Sequence, residues 1–240
     1  MNDLPGLPCI VTDIKADLSF KELTQKIQMS GTNPAILKVA DTVFKKVNGN
    51  WHPALVYRWV KLDPTKDAKT ARLCAENLPV VKITPGHSKR FLNKAEHAIV
   101  AVYTAGKELD EAATQANKDK DYLAGHFLDL IGLLVLEKTE QIVKEIAEKK
   151  AVENNWGVSP FLSPGSVHGW ELMEQTTLAK VLPIKDIGVT ISETGVFTPF
   201  KTISCLIGIG PAYKTNKVGT TCEVCSKKDS CQMSQNLNTD

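Results

Sequence analysis

Residues 121–150 constrain the fold more than any other part of this chain, because they predict one long helix. Their apolar residues recur at spacings of four, three, one and three, which is typical of a helix with one buried face. Those residues are Leu123, Phe127, Leu130, Ile131 and Leu134. Farther along, Glu140 and Lys144 stand four residues apart and predict an ion pair along the helix. With 240 residues, the chain is long enough to bury a sizeable core.

Shorter segments predict strands and helices that come in blocks. We expect strands at 9–14, 54–62, 78–83, 98–103, 187–191 and 203–209, and further helices at 34–46, 107–117 and 171–181. Ser19, with Glu22 three residues later, predicts the start of another helix that ends before residue 30. Because strands and helices do not alternate strictly, the pattern favours an α+β fold over a doubly wound sheet.

The composition excludes several classes of protein. The formal net charge is only +2, whereas a general nucleic-acid binder needs a strongly basic face. The longest apolar run, residues 130–136, is far shorter than the ~20 residues that a membrane helix needs. The N-terminus lacks the basic and apolar segments of a signal peptide. We therefore expect a cytoplasmic protein in which the six cysteines stay reduced.

The C-terminal segment, residues 212–240, is polar and contains three closely spaced cysteines. Cys222, Cys225 and Cys231 form a Cys-x2-Cys-x5-Cys pattern. Two thiolates in a Cys-x2-Cys turn can reach one metal from the same side, and a third thiolate can complete three corners of a tetrahedral site. We therefore divide the chain into an α+β domain, residues 1–211, and a metal- or cluster-binding tail, residues 212–240.

The fourth ligand of such a site is left open by the sequence. Cys205 is nearest but lies in a predicted buried strand, and Cys9, Cys74, a histidine or water are the alternatives. Zinc prefers four protein ligands in a structural site, whereas an iron–sulfur cluster is held mainly by thiolates. A tail of free thiols is the alternative to any metal.

Three groups of segments, taken in order, carry a family resemblance. They are residues 101–109 with 121–137, residues 163–165 with Gln175 and 182–183, and residues 187–193 running through 199–204 to 207–210. Together they resemble the activation domain of cobalamin-dependent methionine synthase, in a shorter stand-alone form. The resemblance covers roughly residues 50–210 and leaves the cysteine tail outside.

The resemblance implies a curved antiparallel sheet with flanking helices. It also implies binding of S-adenosylmethionine and contact with a corrinoid protein or a cobalamin-dependent methyltransferase. In that family the domain supports reductive methylation of cobalamin whose cobalt has become cobalt(II), and an electron donor supplies the reducing equivalent. Such a site positions a methyl group and excludes water, so it needs few acid–base residues.

The cosubstrate loop of that family matches Ser163, Pro164, Gly165 and Ser166 in part. The Pro-Gly pair predicts a tight turn that presents backbone groups to a ligand. The family usually carries an Arg and a Tyr around this turn, and Phe161 and Ser166 stand in those places here. Phe161 cannot hold a carboxylate, which puts binding of S-adenosylmethionine in doubt.

Other residues that the resemblance singles out each have a structural alternative. Glu193 either faces the positive charge of the cosubstrate or is a solvated residue at a strand end. Lys201 either contacts a partner or is a solvated lysine, and Lys89, Arg90 or Lys201 are candidates to replace the missing charge. Trp170 either stacks on an adenine or corrin edge or anchors the packing. His168 either donates a hydrogen bond or is simply exposed.

The leading hypothesis is a corrinoid-protein partner that supports reductive activation or methylation of cobalamin. In this hypothesis the tail holds an iron–sulfur cluster, with 4Fe–4S favoured over zinc, that relays one electron. Cobalamin is then bound through the partner or directly. The alternatives are a docking module without redox chemistry, closed by a structural zinc, and a methyltransferase component of one-carbon metabolism.

Overall fold

The long predicted helix is present in the computed structural model of the chain, which describes residues 6–28, 33–65, 67–166 and 169–219. This helix, α4, spans Tyr122–Glu153, and the Asp121 carboxylate accepts a hydrogen bond from the Ala124 N–H at 3.0 Å. Phe127, Ile131 and Leu134 are buried as predicted, whereas Leu123 is exposed. None of the helices in the described part of the chain is long and apolar enough to cross a membrane.

The centre of the fold is a seven-stranded antiparallel sheet. Its strands are β1 (Cys9–Val11), β2 (Ala54–Pro64), β3 (Ala71–Cys74), β4 (Val81–Ile83), β5 (His97–Thr104), β6 (Gly157–Val158) and β9 (Thr202–Gly210). The order across the sheet is β4-β3-β2-β5-β9-β6, and β1 also pairs with β2. A separate hairpin is made of β7 (Thr190–Ile191) and β8 (Phe197–Thr198).

The remaining helices are short beside α4. They are α1 (Phe20–Gln28), α2 (Pro34–Val47), α3 (Glu108–Lys118) and α5 (Gln175–Ala179), with 3-10 turns at Gly86–Phe91, Leu172–Glu174 and Ile184–Ile187. Helix α4 contacts α1, α2 and α3 as well as strands β5, β6 and β9, so these four helices cover one face of the sheet. Helix α5 contacts β4 and β9 from the other face.

The alternation of side chains along β5 separates two apolar cores. Ile99 and Tyr103 belong to the core under the four helices, while Val100 and Val102 belong to the core on the opposite face. Successive residues of a strand point to opposite faces, and β5 is apolar on both because both faces are covered. The predicted α+β class, with an antiparallel sheet and flanking helices, is confirmed.

Several predicted boundaries were wrong for identifiable reasons. Residues 187–191 are not one strand, because a 3-10 turn ends at Ile187 and Gly188 has a left-handed φ of +70° before β7 begins. Residues 171–181 are a 3-10 turn followed by α5 rather than a continuous helix. Strand β3 was missed because its four residues are too few to show an alternation of apolar and polar side chains that predicts a strand.

The start of α1 contains the predicted reciprocal cap. The Ser19 N–H and hydroxyl both donate to the Glu22 carboxylate at 2.8 Å, and the Glu22 N–H donates to the Ser19 hydroxyl at 3.4 Å. Lys138 of α4 lies 2.6 Å from the same carboxylate. The Lys138 contact, followed by the bond from the Ser19 N–H, lowers the pKa of Glu22 to about 2.

We expect Glu22→Gln to lower the free energy of unfolding by about 1 kcal/mol at pH 7, because both partners are partly exposed and solvent weakens their attraction. The folded pKa lies below the unfolded one, so this contribution is complete above the unfolded pKa of about 4.5 and is lost as pH falls toward 2. Urea unfolding of the parent and of Glu22→Gln at pH 7 and pH 3 measures this contribution to the free energy of unfolding. A difference that grows on acidification would contradict this account.

Candidate functional site

A tight turn at Ser163–Ser166 forms the core of the candidate site. The Ser166 N–H donates to the Ser163 carbonyl at 3.2 Å, and Gly165 has a φ of +81°. Pro at the second position and a left-handed Gly at the third are the pattern of a type II turn. Ser163 and Pro164 are buried, whereas Gly165 and Ser166 face solvent. The predicted Pro-Gly turn is therefore present, and its tip is accessible to a ligand.

The hairpin that carries Glu193 packs against the same segment as this turn. Glu193 is exposed between Ser192 and Gly195, where the Gly195 N–H donates to the Ser192 carbonyl at 3.0 Å. A Cβ placed on Gly165 would lie 2.9 Å from Leu172, and one placed on Gly195 would lie 3.4 Å from the Leu172 carbonyl oxygen. The structure thus brings the turn and the hairpin together around Leu172.

Gln175 fixes this hairpin to the sheet, a role that sequence reasoning missed. Its side-chain amide donates to the Gly195 carbonyl and its amide oxygen accepts from the Ser204 hydroxyl of β9 at 3.3 Å. The residue is 7% exposed. The resemblance pointed to Gln175, but only the structure shows that a buried amide bridges the two elements.

Trp170 lies in the core rather than on the surface. Its side chain is 2% exposed and belongs to the apolar core that contains Leu162 and Leu178. The structure therefore assigns it the packing role and not that of a stacking surface. Its carbonyl accepts from the Gly165 N–H at 2.9 Å, which ties it to the turn. Its buried indole N–H has no hydrogen-bond partner among the described residues.

Phe161, which stands where the family carries an Arg, is buried against the α4 face. It is 3% exposed and belongs to the core under the helices. The Lys144 ammonium lies 5.6 Å from its ring centroid and is paired with Glu140 at 2.7 Å, as predicted for that pair. Glu140 also accepts a hydrogen bond from the buried Tyr103 hydroxyl at 2.9 Å. Lys144 is thus already paired and does not offer a free charge in place of the Arg.

Lys201 is held by two carboxylates and is not available for a ligand. Its ammonium lies 2.7 Å from Asp110 and 2.6 Å from Asp129, and its side chain is 7% exposed. Desolvation lowers the pKa of Lys201, but hydrogen bonds to these carboxylates outweigh it and the net pKa is raised. Its stem lies over Gly132 of α4, where a Cβ would come within 2.1 Å of the lysine Cδ. This placement contradicts the alternative of a solvated Lys201.

The other candidate cations differ in their surroundings. Lys89 is 6% exposed and donates to the Thr65 carbonyl at 2.9 Å and to the Asp67 carbonyl, so it is committed to the loop that follows β2. Arg90 is exposed, and its guanidinium lies 4.7 Å from the ring centroid of Phe91. Of the three lysine and arginine candidates, Arg90 alone keeps an exposed charge.

Of the four cysteines predicted as metal ligands, only Cys205 lies within the described residues. Cys205 lies in β9 and is fully buried, and desolvation, followed by the charge of Glu140, raises the pKa of its thiol well above the usual value. Its side chain lies in the core under the helices, so it could ligate a metal outside that core only if the packing opened. Within the described residues no group of three or more His, Cys, Asp or Glu side chains could hold a metal. Cys222, Cys225, Cys231 and His168 lie outside those residues.

A groove of about 650 Å³ separates α3 from the hairpin. One wall is polar, with Lys107, Gln115 and Lys118, and the other contains Val196 and Phe200. The Phe200 side chain is 76% exposed, while its backbone N–H donates to the Asp110 carboxylate. An exposed aromatic ring thus stands on a fixed backbone beside the groove.

Of three comparisons with known proteins, the one with solved structures gives matches. No protein-family model and no curated protein matches the chain. Among solved structures 13 chains match, one of them the crystal structure of the MetH reactivation domain bound to AdoHcy. That match has a TM-score of 0.59 and 14% sequence identity, and it covers 86% of this chain and 79% of that chain. At this identity the likeness shows a shared fold.

Proposed function

We propose that this chain is a partner of corrinoid proteins and supports the reductive activation or methylation of their cobalamin. The observation that carries the proposal is the shared fold with the MetH reactivation domain over 86% of the chain. The tight turn at Ser163–Ser166 adds support, because the family resemblance expects the cosubstrate loop at these residues.

The turn and the hairpin offer suitable groups for a methyl donor of the S-adenosylmethionine type. The donor carries a sulfonium and an amino group, and the Glu193 carboxylate is exposed on the neighbouring hairpin. Phe161 stands in the place of the family Arg and Lys201 is already paired, so neither residue offers a free cation to the ligand carboxylate.

We expect Ser166→Tyr to tighten binding of S-adenosylhomocysteine by about fivefold, because it restores a flat face for the ligand. Ser166 is exposed at the tip of the turn, so the larger side chain meets no core packing. Isothermal titration calorimetry on the parent, Ser166→Tyr and Ser166→Ala proteins measures the change. If neither the parent nor Ser166→Tyr binds at millimolar ligand, the turn is not a cosubstrate site.

The cysteine tail is proposed to hold an iron–sulfur cluster. Cys222, Cys225 and Cys231 supply three thiolates, which suits a cluster better than a closed four-ligand zinc site. The Phe161 N–H donates to the Gly219 carbonyl at 3.1 Å, two residues before the turn begins. Chain length alone limits Cys222 to about 11 Å from Gly219. When bound, such a cluster would supply single electrons.

The test is a single-turnover activation assay with a corrinoid protein in the cobalt(II) state. After the chain is reduced with dithionite and the excess is removed, one electron should convert cobalt(II) to cobalt(I). Cobalt(I) then displaces S-adenosylhomocysteine from the methyl group of added S-adenosylmethionine. Removing iron with a chelator should abolish this turnover and leave binding of the corrinoid protein intact. Full turnover after complete loss of iron would contradict the relay.

A docking module without redox chemistry is the second candidate, and two observations favour it. Two of the three candidate cations, Lys201 and Lys89, are already bonded within the fold, which weakens the case for a tightly bound methyl donor. The groove with its exposed Phe200 is a surface that a partner protein could fill. Stoichiometric zinc in the purified protein, together with binding of a corrinoid protein but no reduction of cobalt(II), would support this reading.

A further inference from the structure

Residues 157–161 pair with β9 on one side, and their other side is an edge of the main sheet. The Ser159 N–H donates to the Gly208 carbonyl of β9 at 2.8 Å, whereas the N–H groups of Val158 and Phe161 point away from β9. Outward N–H groups on an edge strand are a template for pairing with another segment. Residues 157–161, which we call the sheet edge, therefore have the backbone groups of a peptide-binding surface.

The chain covers this sheet edge with its own residues 211–219, which we call the strap. The Val158 N–H donates to the Thr215 carbonyl at 2.8 Å, and the Phe161 N–H donates to the Gly219 carbonyl at 3.1 Å. Because the residue numbers rise together on the two sides, the strap runs parallel to the sheet edge. The backbone of the strap thus satisfies both of these outward N–H groups.

Side chains hold the strap near both of its ends. Near its start, the Tyr213 hydroxyl donates to the Phe91 carbonyl at 2.5 Å. Near its end, the Glu148 carboxylate of α4 accepts from the Val218 N–H at 2.9 Å, and its other oxygen lies 2.7 Å from the Lys217 ammonium. The Lys217 side chain is 80% exposed, so solvent weakens the ion pair and the bond to the backbone N–H contributes more.

The sheet edge is shaped to take a backbone at close range. A Cβ on Gly157 would lie 2.5 Å from the Thr215 carbonyl oxygen and 2.7 Å from the Tyr213 Cβ. The glycine therefore leaves the space that the strap occupies. The Val218 side chain packs, partly buried, against the core under the helices. The surface thus suits a segment with a tyrosine followed, five residues later, by a β-branched apolar residue.

The strap is held more weakly than the sheet that it covers. Residues 211–212 and 214–217 are exposed, and Tyr213 and Val218 are only partly buried, whereas residues 204–210 of β9 are buried. Segments with few buried apolar contacts open locally at a lower free-energy cost than core strands. The strap can therefore leave the sheet edge while β6 stays paired with β9.

We propose that the sheet edge is a peptide-binding site and that the strap is its resident ligand, which keeps the site closed. The contact is autoinhibitory, because a tethered strap competes at an effective concentration in the millimolar range. A peptide with the sequence of the strap binds the sheet edge once the strap is displaced. This inference goes beyond the proposed function and needs neither a metal nor a corrinoid.

The test adds a dye-labelled peptide of residues 211–219 to the full chain. The strap is displaced in a double variant, Tyr213→Ala with Val218→Asp, which removes the tyrosine contact and places a carboxylate beside that of Glu148. Asn216→Ala, at an exposed position of the strap, is the matched control. A peptide that itself carries Val218→Asp controls for non-specific binding. Fluorescence anisotropy measures the affinity of both peptides.

We expect the peptide to bind the double variant about tenfold more tightly than it binds the parent or Asn216→Ala, because the strap competes in those two chains. Hydrogen exchange followed by NMR reports on the sheet edge itself. The amides of Val158 and Phe161 should exchange about tenfold faster in the double variant than in the parent, since they lose their acceptors. Adding the peptide should restore their protection.

Glu148 variants give a second route in case the double variant does not fold, which circular dichroism and the unfolding midpoint detect. Glu148→Ala removes the acceptor of the Val218 N–H and should speed exchange of the Val158 and Phe161 amides. Glu148→Gln keeps an acceptor and should leave exchange close to that of the parent.

Two results would overturn the inference. The first is unchanged protection of the Val158 and Phe161 amides in the folded variants, which would show that the strap does not close the sheet edge. The second is fast exchange of these amides in the double variant without binding of the peptide, or with equal binding of the two peptides. Either form of the second result would show that the sheet edge is not a peptide-binding site.

Discussion

Replacing Lys201 with Met is expected to lower the free energy of unfolding by about 3 kcal/mol. The lysine is nearly fully buried and neutralises Asp110, whose side chain is only 18% exposed. Removing one member of a buried ion pair leaves the other charge without compensation, and such losses are about 3–5 kcal/mol. The lower end applies because the second partner, Asp129, is about half exposed. Methionine keeps most of the volume over Gly132, so the loss is mainly electrostatic.

Lys107→Met is the matched control for this substitution. Lys107 also pairs with a carboxylate, that of Glu111 at 3.4 Å, but both side chains are more than 60% exposed. We expect a change within about 0.5 kcal/mol there. Urea denaturation of the parent and both variants at pH 7 measures the two effects. Equal stability of Lys201→Met and the parent would show that Lys201 does not hold the fold and would reopen its role as a ligand contact.

Gly86→Ala is expected to destabilise the chain by about 3 kcal/mol, and for two reasons. Gly86 has a φ of +58°, a left-handed conformation that costs an L-residue about 1 kcal/mol. A Cβ there would also lie 2.1 Å from the Gly169 carbonyl oxygen, which is backbone and has to move. Gly169 directly precedes Trp170, so the displacement should also loosen the Ser163–Ser166 turn.

Gly49→Ala separates these two contributions. Gly49 has a φ of +79°, but nothing lies within 4 Å of the position of its Cβ. It should therefore show only the conformational cost of about 1 kcal/mol. Thermal and urea unfolding of Gly86→Ala and Gly49→Ala give the difference in their loss of stability. This difference measures the steric contact with Gly169. If the two variants lose the same stability, the close approach of Gly86 to Gly169 does not exist in solution.

Much of the fold could be predicted from the sequence where a segment is long and regular. Helix α4 and strands β5 and β9 followed from periodicity and β-branched content, and the Ser19–Glu22 cap and the Pro-Gly turn followed from local chemistry. These features depend on residues close together in the chain. The predicted α+β class therefore held even where boundaries such as residues 187–191 did not.

The roles of individual site residues could not be predicted in the same way, because they depend on contacts between distant segments. Lys201 is fixed by Asp110 and Asp129, which come from two helices far earlier in the chain. Gln175 is a polar residue whose partners lie on the hairpin and on β9. Only the packed structure shows that Lys201 is paired with two carboxylates. Only the packed structure shows that Gln175 joins the hairpin to β9.

The most direct test of the account is the metal content of the protein purified without oxygen. Iron, acid-labile sulfide and zinc are measured per chain, together with the visible spectrum, in the parent and in Cys222→Ser. We expect iron and sulfide in equal amounts with a broad visible band, and their loss in the Cys222→Ser variant. Stoichiometric zinc without colour, or no metal at all, would contradict the proposed electron relay in the cysteine tail.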